Sequence, residues 1–394
     1  MRRARAIQRA PAVLVSGMKR ILYTSWYTGL GGGETDLLTL AGALDSNRYE
    51  PQLLLPADGK LSKRWRAAGW GAHDLPYRGA STWFVPALWA RFPVARRMQD
   101  LLAEQQIDLA HCDYHTLPFI AAAARRLDLP VLWTVWGWWF KPKAWQRAFF
   151  RSLPAVARSR AIRDGFLGSP PFMPSEQLPV IYAGVDSERF RPGLDRDLRR
   201  EMGIADDALV VAMVARFQPV KGHHIFQALA EKVLTALPRT RFIVAGDDVF
   251  GVAADQRYRK NILERAAEHP TLRDSLQYIG FRADIEAVYA AADVYVCASD
   301  FESYGIANLE AMACGLPVVS TRRGGPAETI LHGETGYLVD AGDVQALADG
   351  VLRLLRDAGL RARMGAAGRR RLRESFSIAA AADAHMRLYD RLLR

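Results

Sequence analysis

The sequence predicts an α/β protein of two doubly wound domains, and three observations carry that expectation. Its 394 residues exceed what one core of ordinary size holds, so about two domains are expected. Short runs rich in Val, Ile and Leu alternate with longer runs of helical spacing from Arg20 onward. That alternation calls for parallel strands with helices on both faces of each sheet. A charged stretch after Gly184 then separates one such series from a second that begins at Leu209.

The elements follow in order. Residues 1–18 carry Arg2, Arg3, Arg5 and Arg9 around a short apolar patch, too short for a signal peptide, and read as a basic disordered extension. The N-terminal domain is placed at 19–186. It opens with a strand over 20–25, a turn at Gly31, Gly32 and Gly33, and a helix over 34–44. Further strands are expected at 52–56, 108–111, 131–135 and 179–182, with helices and loops between the second and third. Residues 187–206 form the linker. The C-terminal domain, 207–375, has strands at 209–215, 242–246, 278–281, 294–296 and 317–321, and a helix over 306–313. A final helix over 378–393 occupies the segment 376–394.

Composition narrows the function classes. Half the residues are hydrophobic and about a quarter charged, and no apolar stretch approaches the roughly 18 residues of a spanning helix. Cys112, Cys297 and Cys314 are widely spaced in apolar surroundings, which indicates neither a disulfide framework nor a zinc site and fits a reducing cytoplasm. The net charge of +11 implies an acidic partner. No nucleic-acid-binding signature accompanies it, so phosphorylated substrates and anionic lipid are preferred over nucleic acid.

Glu302 and Glu310 stand with seven residues between them, Glu302 in a loop that leads from the strand at 294–296 into the helix at 306–313 and Glu310 inside that helix, able to point back to the same mouth. A helix N-terminus offers free N–H groups and the positive end of the dipole, and Gly305 lets an anion approach the backbone. Ser303, Tyr304, Gly305 and Ile306 are therefore candidate donor-binding residues, and carboxylates at such a mouth suit hydroxyl-rich groups. Arg216 and Lys221 follow the strand at 209–215, where a fork and a point charge suit phosphate oxygens. Gly31, Gly32 and Gly33 do not spell the G-x-G-x-x-G fingerprint of dinucleotide-binding proteins, but their backbone could face a diphosphate from the opposite domain. Gly324 and Gly325 serve a turn, with Glu328 capping or orienting. The strand ends near Gly246, Asp247, Gly280 and Phe281 should flank a nucleobase without announcing which.

These segments resemble the retaining glycosyltransferases of the family 4 type, whose E-x7-E element matches Glu302 and Glu310. The resemblance covers most of the chain from Arg20 and is strongest in its C-terminal half. It implies the GT-B architecture, two facing Rossmann-like domains with a cleft between them, and a final helix packed back on the N-terminal domain. It also implies that Glu302 lies near the transferred sugar, that Glu310 holds the nucleotide ribose, and that Arg216 and Lys221 bind the diphosphate. Glu302, Arg216 and Lys221 are then the catalytic candidates. The expected reaction moves a sugar from a nucleotide-diphosphate-sugar donor to an acceptor hydroxyl with retention, with the nucleotide sugar as co-substrate, no cofactor and no metal. A GT-B epimerase or phosphorylase, or a silent sugar-nucleotide or lipid-binding protein, is the alternative.

One position departs from the resembled pattern. Where the family often carries histidine after the strand at 131–135, this chain has Trp136, whose indole cannot act as a base. Either the role is lost or it moves to His111 or His115, so all three are candidate sugar or acceptor contacts. Around it, residues 133–163 lack any acid and collect Lys141, Lys143, Arg147, Arg151, Arg158, Arg160 and Arg163 among Trp133, Trp136, Trp138, Trp139, Trp145, Phe140, Phe149 and Phe150. Such a surface suits the inner face of an anionic membrane and a lipid-linked or envelope-saccharide acceptor. Alternatively the aromatics line the core or cleft and the cations face water.

Overall fold

The computed structural model describes residues 17–79, 93–137, 142–248 and 252–394. Most of the expected basic extension therefore lies outside the described residues, as do Trp138, Trp139, Phe140 and Lys141. The described residues form two six-stranded parallel sheets.

The first sheet runs β3-β2-β1-β4-β5-β6, with β1 at Lys19–Thr24, β2 at Tyr49–Leu55, β3 at Gly71–Asp74, β4 at Leu109–Cys112, β5 at Val131–Val135 and β6 at Ala155–Ala157. The second runs β12-β11-β10-β7-β8-β9, with β7 at Val210–Val214, β8 at Arg241–Ala245, β9 at Leu276–Tyr278, β10 at Val294–Cys297, β11 at Val318–Thr321 and β12 at Gly336–Val339. Both carry the same order, two further strands wound outward on each side of a central pair. That pair is β1/β4 in one sheet and β7/β10 in the other.

Alternation along the strands explains the layering. On β1, Leu22 enters one apolar cluster while Ile21 and Tyr23 enter another on the opposite face. On β7, Val211 and Met213 divide from Val210 and Ala212 in the same way. Each sheet is thus buried on both sides, which is why its strands read as continuous hydrophobic runs. No helix among the described residues is long and apolar enough to cross a membrane.

Three expectations are corrected. The stretch at 179–182 is no strand: Pro179 has no N–H to donate, and Val180 makes only an isolated bridge to Ala157. The first helix begins at Gly32, not Glu34, because the Glu34 carboxylate reaches back 3.1 Å to the Gly31 amide and closes the first turn. Strand β3 lies where helices and loops were expected, and β6 and β12 lie where no strand was expected. The final helix, Ile378–Leu392, packs on the Gly32–Ala43 helix of the first domain, with Tyr389 hydroxyl 3.0 Å from that of Tyr23.

Candidate active site

In open parallel sheets, ligands collect beyond the carboxyl ends of the strands where the winding reverses. Here that rule singles out four loops: those after β1, β4, β7 and β10. They carry Gly31 to Gly33, His115, Arg216 with Lys221, and Glu302 to Gly305 respectively. All of these residues line one cleft of about 1110 Å³ between the two sheets, together with Ile306, Glu310, His111 and Trp136.

The Ile306–Ala313 helix starts from Gly305, whose backbone is left-handed at φ 84. A side chain there would be strained, and its Cβ would stand 2.9 Å from the Asn308 side-chain Nδ2. Across the cleft, a Cβ on Gly32 would stand 3.6 Å from the Ile306 side chain. Two helix N-termini, one from each domain, therefore face each other where the resemblance places a diphosphate.

The charges are arranged around this gap. The amide of Asp300 donates to Val220 O at 2.8 Å, tying the loops after β7 and β10 together. Lys221 Nζ is consequently 2.6 Å from Glu302 Oε2, both side chains mostly buried. Arg216 has its pKa lowered by burial, opposed by the carboxylates of Glu302 and, from the other domain, Glu34. Glu34 in turn is raised by burial, against the amides of Glu34 and Gly31. Glu310 accepts a 2.6 Å hydrogen bond from the Tyr289 hydroxyl, and burial pushes its carboxyl up to about 7. Gly246, Asp247 and Phe281 line the far end.

Two family models match the chain: one described as glycosyl transferases group 1 over residues 195–371, the other as Glycosyltransferase Family 4 over residues 30–189. A GDP-mannose-dependent alpha-(1-6)-phosphatidylinositol monomannoside mannosyltransferase of Mycolicibacterium smegmatis is 33% identical, across 70% of this chain and 74% of its own. The chain belongs to glycosyltransferase family 4. A D-inositol 3-phosphate glycosyltransferase of Corynebacterium urealyticum is 35% identical over 46% of this chain, although the match spans only 43% of that relative's length. The N-acetyl-alpha-D-glucosaminyl L-malate synthase of Bacillus anthracis is 28% identical and matched over 55% of its length. The chain thus spans about half the length of these last two relatives. In fold, it is similar to a glycosyltransferase from Rickettsia africae, with TM-score 0.82, 19% identity and 96% and 99% of the two chains covered. The Anabaena protein HepE, solved with UDP and glucose, gives TM-score 0.78 at 23% identity, covering 95% and 99%.

Within this family 4 chain the three N-domain candidates part ways. His111 has both ring nitrogens engaged, Nδ1 with Tyr389 at 2.8 Å and Nε2 with Thr134 at 2.7 Å, and burial pulls its pKa down to about 3. That is the setting of a structural histidine. His115 instead packs beside Trp26, ring centroids 4.9 Å apart, on the cleft wall. Trp136 lies under the Arg158 guanidinium at 4.9 Å. Arg158 is itself buried and paired with Asp36, so it forms part of the cleft floor and not the expected basic surface.

The aromatic segment is divided likewise. Trp133 and Phe150 are core residues, packed with Phe166. Among its described tryptophans only Trp145 is exposed, beside the exposed Lys143, Arg147 and Arg151. Sequence reasoning met Glu34 in the glycine element but gave it no role, and passed over Asp36, Tyr289 and Trp26. The signal for Glu34 was its place directly after three glycines; the others carried none. Among the described residues no cluster of His, Cys, Asp and Glu could hold a metal ion.

Proposed function

We propose that this protein transfers a sugar from a nucleotide-diphosphate sugar to an acceptor hydroxyl with retention at the anomeric carbon. One observation carries the reading: at both winding reversals the loops bring cations, amide-bearing helix tips and carboxylates to a single cleft. Arg216, Lys221 and the two helix tips bind the diphosphate, Glu310 the ribose and Glu302 the sugar. As the bond from the anomeric carbon to the phosphate oxygen breaks, negative charge grows on the phosphate, where fixed donors stabilise the transition state most. The acceptor oxygen bonds to the same face and its proton passes to the departing phosphate. No protein base is then needed, which suits a chain with Trp136 where relatives of the type carry histidine. The charge is neutralised by side chains and amides, so the reaction is proposed to be metal-independent.

The acceptor is proposed to be a lipid-linked or envelope saccharide, reached from the inner face of a membrane. The mannosyltransferase relative named for phosphatidylinositol monomannoside supports this. So does the exposed stripe of Lys143, Arg147 and Arg151 beside Trp145. Salt-sensitive sedimentation with anionic, but not neutral, liposomes is the expected outcome.

Calorimetry against a panel of nucleotide sugars, followed by the anomeric configuration of the product by NMR, tests the reaction. Inversion, or loss of turnover in EDTA, overturns the corresponding part. Trp136 favours a second reading, a silent sugar-nucleotide-binding protein, which donor binding without turnover on any supplied acceptor would establish.

A further inference from the structure

The helix at Arg160–Leu167 belongs to the first domain, yet its N-terminus is completed by the second. Its own cap, Ser159, accepts from the Ile162 amide at 3.1 Å. The first turn then carries Arg160 and Arg163 and no acid, so its side chains oppose the helix dipole. The missing carboxylate comes from Glu328. Its two oxygens accept from the amides of Arg160 at 2.9 Å and Ala161 at 2.8 Å. A third bond arrives from the Tyr182 hydroxyl at 2.8 Å, in the stretch that follows β6 and precedes the linker. Beside it, the Ser159 hydroxyl donates to Ser303 O at 3.0 Å.

Glu328 is firmly mounted on its own side. Arg371 donates to the carbonyls of Glu328 and Thr329, each at 2.9 Å. The turn before it is seated on the donor loop: the Gly325 amide donates to Glu302 O at 2.9 Å, and a Cβ on Gly325 would come within 2.3 Å of Tyr304 O. Tyr304 closes the circuit, its hydroxyl 2.5 Å from Ala183 O. Any opening of the cleft that separates the 160–167 helix from the 324–329 turn must release two charge-assisted bonds and pull on the backbone of Glu302 and Ser303.

We infer that Glu328 is a positioning residue: its carboxylate latches the two domains together and sets the Glu302–Gly305 loop against the donor. The inference rests on the transferase reading for its effect on turnover, though not for the latch itself. It acts through the loop and touches no substrate. Holding the cleft shut excludes water, so its loss should uncouple donor cleavage from transfer.

Two measurements on the full chain test it. Small-angle scattering of wild type, Glu328→Gln and Glu328→Ala is expected to give a larger radius of gyration for both variants; unchanged values overturn the latch whatever the activity. With a working donor and acceptor, Glu328→Gln should lower transfer roughly tenfold, the worth of one hydrogen bond to a charged group. The share of donor lost to water should rise with it. Transfer and hydrolysis falling in parallel indicate a merely structural role and overturn the assignment. Ser159→Ala, which cuts the tether to Ser303 together with the helix's own cap but leaves the Glu328 carboxylate in place, should move both readouts the same way by less, and serves if the Glu328 variants do not fold. Tyr182→Phe should change little; an effect equal to that of Glu328→Ala overturns the helix as the partner. A wild type that compacts more than its variants yet transfers no sugar defeats the transferase reading and leaves the latch standing.

Discussion

The ammonium of Lys221 lies 2.6 Å from the Glu302 carboxylate, so each charge of the cleft floor is already compensated by the other. A diphosphate that takes Lys221 must leave Glu302 with a new donor, and a sugar hydroxyl is the group that arrives with it. On the proposed reading, the pair couples recognition of the phosphate to recognition of the sugar it carries.

Lys221→Ala is expected to weaken nucleotide-sugar binding by about 10- to 100-fold, the cost of losing a hydrogen bond to a charged group. The free nucleoside monophosphate should be affected less than the nucleotide sugar, because it lacks the group that replaces Lys221 at Glu302. Isothermal titration of both ligands checks this. Equal losses for the two would remove the coupling.

Glu310 gives the cleft a pH dependence. Its folded pKa is raised from 4.5 to about 7, chiefly by burial. The folded state therefore holds a proton that the unfolded state has lost, and this stabilising contribution is full below 4.5 and gone above about 7. For ligand binding the sense reverses, since only the carboxylate accepts from both ribose hydroxyls. Nucleotide affinity should rise as pH passes from 6 through about 7. Glu310→Gln should flatten that profile in calorimetry; an unchanged profile would assign the titration elsewhere.

Much of this was legible in the sequence, for a local reason. Val294 to Cys297 reads as a strand because it is buried on both faces, and the loop after such a strand is where function sits, so Glu302 and Gly305 announce themselves. The same holds for Arg216 and Lys221 after β7. Edge strands were missed because Gly71–Asp74 is only partly buried and Ala155–Ala157 is three residues long. Contacts between distant segments leave no periodic trace. Arg160 and Glu328 are 168 positions apart, and nothing in either neighbourhood names the other. The basic aromatic segment read two ways for a related reason: its composition does not say which aromatics turn inward, and Trp133 and Phe150 pack against Phe166 while Trp145 is exposed.

The Asp36–Arg158 pair makes a prediction about stability. Both side chains are 3% exposed, and Arg158 also lies over Trp136 and beside His385. Burial brings its pKa down to about 10, which measures how poorly this site tolerates the charge. Asp36→Ala leaves the guanidinium buried without its carboxylate, a change that costs about 3–5 kcal/mol. For a domain of this size that lowers the melting temperature by roughly 6–20 °C. Adding Arg158→Met should recover a large part of the loss, because the unpaired charge goes with it. Calorimetric melting of the single and double variants decides; no recovery would mean that packing, not charge, is what Asp36 provides.

Gly305→Ala tests the helix tip directly. At φ 84 the new side chain costs about 1–2 kcal/mol in backbone strain, and its Cβ meets the Asn308 side-chain Nδ2 at 2.9 Å. The Asn308 side chain can turn aside, but the backbone strain is relieved only as the first turn of the Ile306–Ala313 helix shifts, and with it the amides proposed to face the diphosphate. A modest drop in melting temperature should therefore accompany a larger loss in affinity for the nucleoside diphosphate, while the affinity for the bare nucleoside stays near that of wild type. The contrast separates the two roles of the glycine. If both ligands lose affinity in proportion to the stability change, the tip shapes the fold and does not hold the phosphates.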